Sequence, residues 1–175
     1  MSAAIQSEPA PAPLPTHTIS LFVNNKPGVL VRVALVFSRR GFNIESLVVS
    51  PAAEGRFSRM TITCSGRNED LEQVVKQLAK LVDVVHAIDH TGDESYEVEI
   101  ALIKLHCPLD QRTQILQIAE HYKARVVDFG ASSLIIQAHG SSEKLDALIE
   151  LLQPAQLVEL VRSGKLLMAR GEHLT

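Results

Sequence analysis

The 175-residue sequence contains no tryptophan, and only 4% of its residues are aromatic. Because 46% of the residues are hydrophobic, the core must be built from valine, leucine, isoleucine and alanine. A chain of this length forms one ordinary domain or two small ones of about 75 residues each, and a unit that small is only marginally stable alone. We therefore expect burial across a subunit interface, in a dimer, to help hold the fold together.

Other shortages exclude whole classes of protein. Cys64 and Cys107, the only cysteines, stand in apolar segments without a second cysteine at metal or redox spacing, which predicts buried thiols in a reducing compartment. The net charge of −3, with no cluster of basic residues, gives no electrostatic basis for binding nucleic acid or a membrane. No apolar run approaches the roughly 18 residues of a membrane span. The N-terminus also lacks the pattern of a signal peptide, so we expect a cytoplasmic protein.

Arrangements that carry catalysis are missing as well. The seven histidines never fall at i, i+4 spacing on a predicted helix or beside a matching Cys or Asp pair, so we expect scattered surface residues rather than metal ligands. His106 and Cys107 are neighbours on a predicted strand and therefore point to opposite faces. Glu97 and Glu99 alternate with apolar residues, which is typical of a solvated sheet face. The sequence predicts neither catalytic residues nor a metal site.

The N-terminal part of the chain changes character near residue 17. Residues 1–16 are rich in alanine and proline, a composition typical of disordered tails. The alternation that follows predicts a strand whose inward face carries Ile19, Leu21 and Val23. Pro27 is expected in the first turn of the next helix, and Gly41 just past the end of that helix. The apolar stripe of the helix is predicted to consist of Leu30, Val33, Ala34 and Phe37.

Hydrophobic patterning continues in the order βαββαβ over residues 17–91, with Asn68 as the expected N-cap of the second helix. This order is that of a ferredoxin-like unit, in which two helices cover one face of a four-stranded antiparallel sheet. After a polar linker the order recurs over residues 96–171. There, strands over residues 158–161 and 166–168 are expected to pair through Ser163 and Gly164. The predicted fold class is α+β, with two ferredoxin-like βαββαβ domains in tandem.

A candidate binding site lies at the junction of the first strand and the first helix. There the amides of Gly28, Val29 and Leu30 lack intrahelical partners, and a helix N-terminus favours an anion such as a carboxylate. Asn43, at the start of the second strand, is expected to lie next to the first strand, with its amide close to a ligand's ammonium group. The structural alternative is a Pro-Gly turn whose asparagines serve turn geometry alone.

Residues 25–33 (NKPGVLVRV) and 37–47 (FSRRGFNIESL) closely resemble the regulatory small subunit of acetohydroxyacid synthase, also called acetolactate synthase. Residues 58–62 (SRMTI) and 81–84 (LVDV) continue the resemblance through what looks like an ACT domain. Residues 162–171 (RSGKLLMARG) extend it into the family's C-terminal domain. The resemblance therefore covers nearly the whole chain after the tail.

The resemblance implies a non-catalytic subunit that activates a thiamine-diphosphate-dependent catalytic subunit and confers feedback inhibition by valine in branched-chain amino-acid biosynthesis. Thiamine diphosphate, Mg and FAD are then expected on the catalytic subunit and no cofactor on this chain. Family ACT domains pair as homodimers, and valine or a related branched-chain amino acid binds between them. Residues 96–171 are expected to interact with the catalytic subunit. Carried over by position, the effector-binding residues are Asn25, Gly28, Val29, Leu30, Asn43 and Ile44.

Two alternatives remain open at the level of sequence. A free-standing ACT-domain sensor of another enzyme would bind an amino acid but ignore the synthase. A small ferredoxin-like enzyme would turn over a substrate alone and would depend on a single side chain. A DNA-binding sensor would need a basic recognition helix, which this sequence does not supply.

Overall fold

The computed structural model describes residues 14–153 and 155–175, so the predicted tail lies outside the described residues up to residue 13. The first unit consists of β1 (Thr16–Asn24), α1 (Val29–Arg39), β2 (Asn43–Pro51), β3 (Phe57–Ser65), α2 (Asn68–Leu78) and β4 (Val84–Asp89). Its strands form an antiparallel sheet in the order β2-β3-β1-β4. Both helices pack on one face of this sheet and enclose the first core.

The second unit repeats the same topology. It consists of β5 (Ser95–His106), α3 (Arg112–His121), β6 (Arg125–Phe129), β7 (Ser133–Gly140), α4 (Ser142–Leu152), β8 (Gln156–Arg162) and β9 (Leu166–Ala169). The sheet order β6-β7-β5-β8 corresponds strand for strand to that of the first unit. The predicted α+β fold of two ferredoxin-like units in tandem is confirmed.

β8 and β9 both pair with β5, so the hairpin predicted through Ser163 and Gly164 is wrong. β8 runs along residues 101–106 of β5, and β9 runs along residues 95–98. Between them the Ser163 N–H donates to the Ile100 carbonyl at 2.9 Å, and the Ser163 Oγ accepts from the Ile100 N–H at 3.0 Å. The 12-residue β5 is long enough to offer backbone partners to both strands, which together form one interrupted edge.

The inward face of β1 follows the predicted alternation, since Ile19, Leu21 and Val23 are fully buried. The buried stripe of α1 differs from the prediction, because Leu30 is 42% exposed. Most positions of this helix are apolar, so more than one stripe satisfies the helical period and the packing against the sheet decides among them. The buried residues of α1 are Val29, Val33, Val36 and Phe37.

The helix ends confirm one predicted cap and correct two. Gly41 follows the C-cap of α1 with φ +71°, as predicted. The N-cap of α1 is Gly28, so Pro27 precedes the cap instead of lying in the first turn. Asn68 is the first residue of α2, and Arg67 is its N-cap.

Glu99 is buried, so the prediction that it lies on a solvated face is wrong. Its side chain is 8% exposed and accepts hydrogen bonds from Arg162 Nε at 2.8 Å and from Ser142 Oγ at 3.1 Å. A buried carboxylate requires a charged partner, and Arg162 at the end of β8 supplies it. Glu97, on the same face, is more exposed and pairs with Lys165 at 2.7 Å.

Two histidines are also buried, contrary to the expectation that the histidines lie at the surface. His17 Nε2 lies 3.1 Å from the Gly66 carbonyl oxygen, and His90 Nε2 lies 2.8 Å from Ser20 Oγ. Both contacts are to a main-chain or hydroxyl oxygen and not to a second side chain of the usual metal-binding types. Over residues 14–153 and 155–175, no three or more His, Cys, Asp or Glu side chains are grouped to hold a metal ion. In the same part of the chain, no helix is long and apolar enough to span a membrane.

Both cysteines are buried, as predicted. Burial raises the pKa of the Cys64 thiol to about 12 and also raises that of Cys107. Both thiols therefore remain protonated near neutral pH, which makes them poor nucleophiles and poor metal ligands.

The second unit packs against the sheet face that α1 and α2 leave open. Gly164 lies so close to β2 that a Cβ added to it would be 2.8 Å from the Ser46 Cβ. Arg59 donates to the main-chain oxygen of Thr175, and His86 Nε2 lies 3.2 Å from the same oxygen. Residues that follow β8 therefore cover part of this face.

Candidate ligand-binding site

The turn between β1 and α1 exposes the N-terminal amides of the helix. The first intrahelical bond runs from the Arg32 N–H to the Gly28 carbonyl at 3.2 Å, so the amides of Val29, Leu30 and Val31 precede the regular ladder. Of these, the Val29 N–H makes only a long contact of 3.5 Å with the preceding turn. Gly28 offers no side chain to cap them, and the first turn contains no acidic residue. The helix end is therefore suited to an external carboxylate.

Asn25 fastens this turn to the hairpin between β2 and β3. Its N–H donates to the Arg56 carbonyl at 2.9 Å, and its Nδ2 donates to the Gly55 carbonyl at 3.0 Å. Because the amino group of the side chain is engaged in this way, its oxygen is the group that remains for a cation. An acceptor next to a carboxylate site is the arrangement that an amino acid zwitterion requires.

Asp83 holds the same turn from the other side. Its main-chain oxygen accepts from the Asn24 N–H at 2.8 Å, and its carboxylate accepts from Asn24 Nδ2 at 3.3 Å and pairs with Arg32 and Lys26. Partial burial acts to raise the pKa of this carboxyl, but the hydrogen bonds from Asn24 and Arg32 outweigh it and lower the pKa. Asp83 thus stays ionised and fixes the turn at both of its ends.

Sequence reasoning missed Asp83 because its partners are distant along the chain. Arg32 is 51 residues away and Asn24 is 59 residues away. Neither a local spacing nor a hydrophobic period records such contacts. The only signal was the position of Asp83 within the segment LVDV, directly before the last strand of the unit.

The three predicted apolar site residues differ in what they can offer a ligand. The Val29 side chain is 3% exposed and packs in the first core, so only its amide is available. Leu30 is 42% exposed beside the helix N-terminus. Ile44 is half-buried and packs against the core from the edge strand β2.

Asn43 does not lie next to β1, and the expectation that its amide faces the Gly28 turn is wrong within one chain. β2 pairs with β3, and the register places Asn43 opposite Ser65, which in turn lies opposite Thr16 at the start of β1. The Gly28 turn follows the other end of β1. At 3.3 Å per residue, the two ends are about 26 Å apart.

The first unit combines a ferredoxin-like sheet with an open helix N-terminus after its first strand, which is the architecture of an ACT domain, and a second ferredoxin-like unit follows it. Residues 19–86 match the family model of the AHAS small subunit-like ACT domain. Residues 98–171 match that of the small subunit of acetolactate synthase. The chain belongs to the family of acetolactate synthase small subunits.

Relatives of known identity agree over most of the chain. The chain is 44% identical over 158 residues to the acetolactate synthase small subunit of Mycobacterium leprae, covering 90% of this chain and 94% of that one. It is 44% identical over 155 residues to the probable small subunit of Archaeoglobus fulgidus, covering 89% and 97%. The solved structure of the Thermotoga maritima small subunit matches with a TM-score of 0.81 at 34% identity, over 91% of this chain and 100% of that chain. Family membership implies a catalytic subunit as partner and a regulatory role in branched-chain amino-acid synthesis.

Proposed function

We propose that this chain is a non-catalytic subunit that activates the thiamine-diphosphate-dependent catalytic subunit of acetolactate synthase and makes it sensitive to feedback inhibition by valine. The observation that carries the proposal is the uncapped N-terminus of α1 at Gly28, in a chain that belongs to this family. Thiamine diphosphate, Mg and FAD are assigned to the catalytic subunit, and this chain contributes the effector site.

The chemistry of the turn matches the three parts of a valine molecule. The amides at the start of α1 receive the carboxylate, with Lys26 and Arg32 adding positive charge nearby. The side-chain oxygen of Asn25 accepts from the ammonium group. Leu30 of the same chain and Ile44 of a second chain, which are not fully buried, offer apolar surface to the isopropyl group, because Ile44 lies beside Asn43 at the far end of the sheet. Because one chain places Asn43 at the far end of the sheet, a second chain is needed to complete the site.

The second chain is provided by a homodimer whose two-fold axis lies at the free edge of β2. β2 is an edge strand, and two copies related by such an axis pair antiparallel, so the start of one β2 meets the end of the other. The end of β2 leads into the hairpin at Gly55 that Asn25 contacts, and α1 lies on the β2 side of its sheet. The proposed homodimer thus brings Asn43 of one chain towards the Gly28 turn of the other.

Contact with the catalytic subunit is assigned to the second unit. The open face of its sheet exposes the apolar side chains of Ile100, Leu102 and Val161, which are 40%, 43% and 52% exposed. Leu102 and Val161 line a shallow pocket together with Lys104 and Glu159, which form an ion pair with a distance of 2.7 Å. An apolar patch with a polar contact is a common composition for a protein interface.

Titration of the purified chain into its catalytic subunit tests this function directly. We expect acetolactate formation from pyruvate to rise to a saturable plateau and to become inhibitable by millimolar valine, because only the complex contains the effector site. A folded chain that leaves the rate unchanged but binds valine would instead support a free-standing sensor of another enzyme. Turnover of pyruvate by this chain alone would contradict its non-catalytic role.

Substitution of Gly28 by alanine tests the turn itself. Gly28 has φ +83°, a left-handed conformation that costs alanine about 1 kcal/mol. If the backbone of the alanine variant relaxes to avoid this strain, the amides that receive the carboxylate change their orientation. We expect the valine concentration for half-inhibition to rise roughly tenfold, with activation retained.

Gly92→Ala is the matched control for this substitution. Gly92 has φ +84° with no atom within 4 Å of an added Cβ, so the backbone cost is similar but the position lies in the linker. Thermal melts of both variants are compared with wild type. An equal loss of valine sensitivity in both variants would assign the effect to stability and would count against the turn.

A further inference from the structure

We propose that the cleft between the two sheets is a second small-molecule site, which takes an aliphatic monocarboxylate. This site is independent of the proposed effector turn. It lies on the face of the first sheet that points away from α1, so the sheet itself separates the two.

The cleft has a volume of about 370 Å³, within the range of small-molecule pockets. One wall is the open face of the first sheet, and the other is formed by the start of β5 together with β9. Ligand-sized clefts between two packed units are common binding sites. The lining residues are Val48, Ser50, Arg59 and Thr61 from the first unit and Tyr96, Val98, Leu166, Leu167 and Met168 from the second.

The residues that line the cleft determine which ligand charge it favours. Arg59 is the only charged residue among those that line the cleft, and the remaining residues are apolar or carry hydroxyl groups. Apolar walls strengthen the attraction of a guanidinium for an anion, because they replace the water that would screen it. The cleft therefore favours a ligand with one negative charge and an apolar body. A second carboxylate would find no cation among the lining residues.

Arg59 is held in place for this role. Its guanidinium lies over the Phe22 ring at 5.4 Å, and its Nη1 donates to the main-chain oxygen of Thr175. A guanidinium has five N–H donors in a planar fork, so a ligand carboxylate binds beside the Thr175 oxygen or takes its place. With the carboxylate at Arg59, the aliphatic chain extends between Val48 and Leu166, and Ser50 and Tyr96 contribute hydroxyl groups to the lining.

Isothermal titration of the full chain with 4-methylpentanoate tests the site. This probe has no ammonium group, so it lacks the feature by which the effector turn would select an amino acid. We expect saturable binding in the millimolar range or tighter, and no binding of 4-methylpentan-1-amine, which has the same body and the opposite charge. Arg59→Gln should weaken binding roughly tenfold or more, because it removes a charged hydrogen bond.

Two further variants show whether the probe occupies the cleft. Ser50→Phe fills the cleft from an exposed position and should abolish binding. Arg56→Gln, in the same hairpin but outside the cleft, should bind like wild type.

Absence of saturable binding to the wild-type chain, or equal weakening in Arg56→Gln and Arg59→Gln, would overturn the proposal. Loss of binding in Gly28→Ala but not in Ser50→Phe would also overturn it, since the probe would then occupy the effector turn. We expect valine inhibition in the presence of the catalytic subunit to be unchanged in Arg59→Gln, so the effector turn and the cleft are tested independently of each other.

Discussion

Replacement of Asn43 by alanine is expected to weaken inhibition by valine roughly 10- to 150-fold while activation of the catalytic subunit is retained. The substitution removes an acceptor for the ammonium group of the effector, and a hydrogen bond to a charged group contributes about 1.5 to 3 kcal/mol. Asn43 is exposed and its Nδ2 donates to Glu45 Oε1 at 2.7 Å, so the loss should hardly affect folding. The measurement is a valine titration of acetolactate formation at saturating small subunit.

Asn68→Ala provides the control, because Asn68 is also an exposed asparagine at the start of an element but lies on α2. This variant should respond to valine like wild type. Unchanged inhibition in Asn43→Ala would remove Asn43 from the effector site. Equal changes in both variants would point to a general effect of the substitution.

Mixing two defective variants distinguishes a site shared between chains from a site within one chain. In a mixed dimer of Asn25→Ala and Asn43→Ala subunits, both substitutions fall in one of the two shared sites and the other site is intact. Co-refolded mixtures should therefore regain part of the valine sensitivity that each variant lacks alone. If each chain carried its own complete site, every site in the mixture would stay defective. Mixtures without any recovery would thus contradict the proposed dimer.

The parts of this fold that follow from local patterning could be predicted from the sequence. Ile19, Leu21 and Val23 alternate with a period of two, and such a pattern has one buried face wherever the strand lies. Gly41 ends α1 because few other residues adopt a left-handed conformation without strain. The turn at Gly28 is likewise a local feature, which is why the sequence located the helix end of the candidate site.

Features that depend on contacts between distant segments do not follow from local patterning. The prediction that Asn43 lies next to β1 is wrong even for the predicted fold, because the split βαβ order of a ferredoxin-like unit puts β3 between the two strands. Asp83 supports the turn from more than 50 residues away. Glu99 lies in a segment where acidic and apolar residues alternate, and this pattern is equally typical of a solvated sheet face. Its burial depends on the ion pair with Arg162, which lies on another strand. For Asp83 and Glu99 the deciding partner is distant in sequence.

The ion pair between Glu99 and Arg162 is expected to be the most sensitive polar contact for stability. Arg162→Met leaves the Glu99 carboxylate, whose side chain is 8% exposed, with the neutral hydroxyl of Ser142 as a hydrogen-bond donor in place of a charged partner. Removal of one partner of a buried pair costs about 3 to 5 kcal/mol, because the other charge remains buried without compensation. This is a large share of the 5 to 15 kcal/mol that typically stabilises a domain. Urea unfolding followed by circular dichroism measures the change.

Two comparisons test whether burial is the cause. Lys104→Met breaks an ion pair of similar length, 2.7 Å to Glu159, but both side chains are about half exposed, so the expected cost is at most about 1 kcal/mol. The double variant Glu99→Leu with Arg162→Met removes both buried charges and should recover much of the stability lost in Arg162→Met alone, since no unpaired charge remains. If the double variant were instead less stable than Arg162→Met, the pair would contribute through packing rather than through compensation of a buried charge. A cost in Lys104→Met equal to that in Arg162→Met would show that burial does not set the energy of these pairs.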